Sequence, residues 1–115
     1  MHDGTVAEDD AWLRTNVPII LDSSAYETGT LVLIITWDEG EGGTATDCAT
    51  NTTDVGCHVA TLVVSASTRP GTQSASLFNH YSLLGSTEQL LGAPNLAAAD
   101  TGGTASMLGD FNLAR

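Results

Sequence analysis

Asp38, Glu39 and Glu41 stand together in Trp37-Asp38-Glu39-Gly40-Glu41-Gly42-Gly43, directly after the apolar run Leu31-Val32-Leu33-Ile34-Ile35. Carboxylates offer hard oxygen donors for a divalent cation. The glycines between them allow tight turns and a close approach of backbone to a ligand. Two carboxylates about 6 Å apart repel by roughly 3 kcal/mol at an effective dielectric near 20. If the turn is half buried, a bound cation or a raised carboxylate pKa offsets that repulsion. If it is exposed, water and salt screen the charges and the acids form a solvated turn. Asp38 and Glu39 are therefore candidate metal ligands, and Glu41 reads as a solvated loop acid.

The histidines are His2, His58 and His80. Imidazole changes charge near neutral pH and suits proton transfer or the binding of an anion. His2 stands just ahead of Thr5, a helix N-cap in the pattern Thr5-Val6-Ala7-Glu8, where a helix N-terminus favours anions. Asp3 either orients His2 or caps the turn. His58 opens a strand and His80 opens a helix, so both read first as structural. Cys48 and Cys57 lie in one Thr-rich loop. A disulfide is the first reading, since such bridges persist in oxidising compartments. Free thiols and a zinc site that adds His58 are the alternatives, although paired Cys-x2-4-Cys spacing is missing. Asn51-Thr52-Thr53 fits a glycosylation sequon.

The elements that must position these groups follow from patterning. The capping box and the acids Asp9 and Asp10 predict a helix from about Val6 to Leu21, kinked or interrupted at Pro18. Ala7, Ala11, Leu13 and Val17 form its expected buried side. A strand follows at about Thr30 to Thr36, apolar throughout and so expected to be buried on both faces. A long unpatterned loop reaches Gly56, and long loops in compact domains are often functional. A second buried strand is expected over His58 to Ser65, and a second helix over His80 to Leu91. Tyr81, Leu84 and Leu90-Leu91 form the expected apolar face of that helix, which Gly92 ends. Pro94 to Arg115 reads as a small, polar, loose tail. This is an α/β arrangement with two strands, which make a poor sheet alone and call for further strands.

With 115 residues there is room for one domain. Three basic residues against 14 acidic ones give a formal net charge of −11. That balance argues against nucleic acid and anionic membrane surfaces as partners. It also means that any phosphate site needs a metal, histidines or helix N-termini for local positive potential. No apolar run reaches the roughly 18 residues of a membrane span. The start Met1-His2-Asp3-Gly4 lacks a signal-peptide pattern, so an exported protein would carry its signal upstream. The acid loop does not follow the calcium-loop pattern, and no nucleophile elbow or P-loop occurs.

Four blocks resemble the phosphoesterase family: Met1-His2-Asp3-Gly4-Thr5-Val6-Ala7; Ile35-Thr36-Trp37-Asp38-Glu39-Gly40-Glu41-Gly42-Gly43; His58-Val59-Ala60-Thr61-Leu62-Val63-Val64-Ser65; and Asn79-His80-Tyr81-Ser82-Leu83-Leu84. That family holds bacterial acid phosphatases and phospholipase C-type enzymes. The resemblance implies the C-terminal portion of an alkaline-phosphatase-like three-layer α/β sandwich with a central, mostly parallel sheet. It implies that residues 1–115 belong to one catalytic domain whose remainder lies upstream. It further implies an exported or cell-envelope hydrolase of phosphate esters. Asp38 and Glu39 then hold a divalent metal, and His2 serves the phosphate pocket as the catalytic and phosphate-binding residue. The nucleophilic hydroxyl would come from the upstream part, so the chain alone is expected to be inactive. The implied substrate is a small phosphate ester or a phospholipid head group. A phosphomonoesterase comes first, a phospholipase C-like diesterase second, and a non-catalytic acidic binding module third. Gly85-Ser86 and Gln89 depart from the family pattern, which tends to carry a basic residue then Thr, and an acid, at those places.

Overall fold

The structure is a computed structural model that describes residues 4–44, 48, 53–96 and 104–113. Its described elements run α1 (Val6–Leu21), α2 (Ser24–Glu27), β1 (Val32–Thr36), a 3-10 turn (Val55–Cys57), β2 (Thr61–Ser65) and α3 (His80–Leu91). The mixed α/β class expected from the sequence is present.

Helix α1 begins where its capping box places it. The Thr5 N–H donates to Glu8 Oε2 at 2.7 Å, and the Glu8 N–H donates to Thr5 Oγ1 at 3.3 Å. The Thr5 N–H, and the Thr5 hydroxyl donating to the same Glu8 Oε2 at 2.9 Å, hold the Glu8 carboxyl below its usual pKa. The helix runs through Pro18, which removes one internal bond but leaves its carbonyl to accept from the Asp22 N–H at 2.8 Å. A short helix that patterning missed, α2, follows with Ser23 as its cap. Four residues are too few to show a helical period.

The two strands pair antiparallel, with Val32 opposite Ser65, Ile34 opposite Val63 and Thr36 opposite Thr61. The expected strands of a mostly parallel sheet are thus each other's antiparallel neighbours here. Every residue of β1 is half-buried, so the expected burial on both faces is not met. Among the described residues no helix makes more than slight contact with β1, so its faces are not sealed. Helix α1 has no fully buried residue either, and Trp12 and Ile19 are exposed. None of the described helices is long and apolar enough to cross a membrane.

Burial concentrates elsewhere. Among the described residues the buried hydrophobics are Met107 and Leu113, and the buried polar residues are Ser65, Ser82, Ser86 and Glu88. Helix α3 therefore turns its small polar stripe inward, Ser82, Gly85, Ser86 and Glu88, while Tyr81, Leu84 and Leu91 are exposed. This reverses the face expected from its leucines. The physical reason is close approach: serine and glycine let a backbone segment lie against the helix. Ser86 is fully buried, donates to the Ser82 carbonyl at 2.6 Å and accepts from the Met107 N–H at 2.9 Å. Glu88 Oε2 accepts from the Leu96 N–H at 3.3 Å, and its Oε1 has no hydrogen-bond partner among the described residues.

The segment 104–113 is accordingly packed, where the sequence suggested a loose tail. Thr68 Oγ1 donates to the Phe111 carbonyl at 2.6 Å, and Asn112 Nδ2 donates to the Ser67 carbonyl at 2.9 Å. Phe78 and Phe111 meet with ring centroids 6.1 Å apart. Asp110 accepts from the Ser74 and Ser76 hydroxyls, which hold its carboxyl below the ordinary range.

Candidate functional site

Antiparallel pairing brings the end of β1 beside the start of β2, so both ends of the 37–60 connection meet at one edge of the sheet. Thr36 Oγ1 lies 2.8 Å from Thr61 Oγ1 and 3.2 Å from the Ala60 carbonyl oxygen, which ties the two ends together. Asp38 and Glu39 leave β1 at this edge, and both are exposed.

The turn that carries them is clasped by backbone. The Gly40 N–H donates to the Gly56 carbonyl at 3.1 Å. A side chain at Gly40 would press its Cβ to 2.6 Å from that same oxygen, so the approach requires glycine. Asp54 joins the two limbs again, accepting from the Thr44 N–H at 2.9 Å and the Gly56 N–H at 2.8 Å. Cys48 and Cys57 form a disulfide with Cα atoms 5.1 Å apart. That settles the three alternatives for the cysteines and removes both thiolates from any zinc site.

The third contributor is α3. Asn79 caps it, accepting from the Ser82 N–H at 3.0 Å, while the Asn79 N–H donates to Ser82 Oγ at 3.2 Å. His80, the first residue of α3, donates from Nε2 to the backbone carbonyl of Asp38 at 2.6 Å. His58 and His80 also border one cleft of about 580 Å³, with Thr36, Asp54, Thr61, Asn79, Leu83, Met107 and Phe111 among its walls. Asp38 and Glu39 are outside those walls, and Asp38 is joined to the cleft through the His80 bond.

Candidate residues from the sequence thus divide. Asp38, Glu39, His80 and the disulfide come together at one edge, and His58 borders the same cleft. His2 and Asp3 lie outside the described residues. Asp54 and the serines of α3 were missed. For Asp54 the signal was an acid two residues before Gly56, the spacing of a side chain that bonds its own backbone. For the serines it was the spacing of Ser82, Gly85 and Ser86 on one helical face.

Among the described residues no group of three or more His, Cys, Asp or Glu side chains converges on a metal position. Asp38 and Glu39 nonetheless suit one kind of cation. Magnesium-type ions keep several waters and take one or two carboxylates together with substrate oxygens. Two exposed carboxylates on a glycine turn fit that mode and not a closed four-ligand cage.

An antiparallel strand pair thus ends in a clasped acid turn that the capped start of α3 touches through His80. The profile of the phosphoesterase family matches residues 1–94, and the chain belongs to that family. It is similar to the phosphatidylinositol-3-phosphatase of Mycobacterium tuberculosis (strain ATCC 25618 / H37Rv), at 32% identity over 103 residues. That match covers 86% of this chain and 28% of the relative's length. No solved structure matches the chain.

Proposed function

We propose that this chain supplies the acid-turn edge of a phosphate-ester hydrolase, acting first on phosphomonoesters. The observation that carries the reading is the placement of Asp38 and Glu39, exposed on a clasped turn beside a histidine-bordered cleft, in a chain of the phosphoesterase family. Asp38 and Glu39 hold a divalent cation through their carboxylates. When bound, that cation neutralises charge building on the phosphoryl oxygens. His2 binds the phosphoryl group and hands a proton to the leaving alcohol, a role suited to imidazole below neutral pH.

The remainder of the catalytic domain, with its nucleophilic hydroxyl, lies upstream. Supporting this are the half-buried β1 and the exposed Trp12, Ile19, Tyr81 and Leu91, apolar surface of the kind that further elements cover. The Cys48–Cys57 disulfide supports an oxidising destination, outside the cell or in its envelope.

The test is hydrolysis of p-nitrophenyl phosphate and bis-p-nitrophenyl phosphate by the whole protein, with and without chelator. The monoester is expected to be the better substrate. Chelator and Asp38→Ala should each lower turnover by about 100-fold or more, the scale of losing a main transition-state contact. The 115-residue chain assayed alone should be silent. Turnover indifferent to chelator and to Asp38→Ala, or turnover by the chain alone, would overturn the reading.

A further inference from the structure

We propose that His80 is a positioning residue that latches the acid turn, so that α3 sets the direction in which Asp38 and Glu39 point. The inference rests on the proposed cation role of those acids and adds a residue to it. His80 and Asp38 are 42 residues apart in sequence, and the bond between them is 2.6 Å long. Its acceptor is a backbone carbonyl, so Nε2 must carry a hydrogen, which fixes the face that the ring presents. A bond to the peptide oxygen fixes the plane of the Asp38–Glu39 peptide unit. Fixing that plane restricts the rotation of the two residues whose carboxylates bear the charge.

The latch is only as firm as its mount, and the mount is firm. The Asn79 and Ser82 capping box fixes the first turn of α3, where His80 sits. Four residues farther along from Ser82, Ser86 is fully buried and bonded to Met107. A continuous path therefore runs from buried Met107 through α3 to the acid turn. On the other side the turn is held by the Gly40–Gly56 bond, two residues from Asp38. The Gly40 amide is thus a local reporter of the turn's order.

The experiment uses the whole 15N-labelled protein with His80→Ala and His80→Gln. Gln places an amide N–H at a reach close to that of Nε2. In His80→Ala the Gly40 amide should exchange with solvent about fivefold faster, in keeping with one lost hydrogen bond. The amides of α1 should not change. His80→Gln should recover most of the protection. Mn²⁺ affinity, measured separately, should fall about tenfold in His80→Ala and recover in His80→Gln, as for residues that orient a metal ligand. Unchanged Gly40 exchange in His80→Ala would overturn the latch, as would equal loosening in both variants. A wild-type protein that binds no Mn²⁺ would instead overturn the cation role, with the Gly40 exchange still deciding the latch.

Discussion

The α3 seam and the acid loop solve the problem of order by opposite means. At the seam, order comes from burial: Ser82, Ser86, Met107 and Leu113 are removed from water, and serine hydroxyls satisfy backbone groups. In the acid loop, Asp38 and Glu39 are exposed, and order comes from a disulfide, a glycine–glycine backbone bond and the two-handed Asp54 carboxylate. An exposed turn of this kind does not rely on a core. It relies on covalent and hydrogen-bonded clasps, and His80 is where the two regions touch.

The contrast breaks most visibly at its buried side. Met107→Ala should destabilise the protein by about 2–5 kcal/mol, the range for deleting a core side chain. Denaturant unfolding measures this, and a change under about 1 kcal/mol would mean that the seam is not a core. Removing the disulfide with Cys48→Ser and Cys57→Ser comes next. A closed loop this short contributes about 2–3 kcal/mol by the chain-entropy estimate. Hydrogen exchange should show the loosening within residues 37–60, with α3 protected as before. Equal loosening of α3 would erase the distinction between the two regions.

The smallest effect is a pH effect at the seam's outer edge. Bonds from Ser74 and Ser76 lower the Asp110 pKa in the folded protein. A lowered folded value means that the contribution is full above the unfolded value, near pH 4, and is lost as pH falls through the folded one. Asp110→Asn should therefore make the melting temperature fall less steeply in acid below about pH 4. An unchanged slope would show that Asp110 titrates alike in both states.

Much of this architecture was legible in the chain. The Thr5–Glu8 box and Gly92 marked helix ends that depend on local chemistry alone, and both helices span the expected residues. The β-branched runs marked the strands, though each begins later than expected, and their antiparallel pairing is a long-range choice that no local pattern encodes. The acids after β1 were visible as a motif, and the cysteines as a bridge among alternatives. The face of α3 was misread because apolar residues mark a buried side only when a partner covers them, whereas here small residues receive a backbone. The packed 104–113 segment escaped for the same reason: its order comes from bonds to Ser67, Thr68 and Ser86, which lie far away in sequence.

Paramagnetic broadening by Mn²⁺ puts the acid turn most directly at risk. Added in small amounts to the labelled whole protein, Mn²⁺ should first erase the amide signals of residues 37–41 and 79–81, leaving α1 sharp. Asp38→Asn with Glu39→Gln should abolish that selectivity. Broadening centred elsewhere, or spread evenly over the many surface acids, would contradict the assignment of Asp38 and Glu39 as the place where the cation sits.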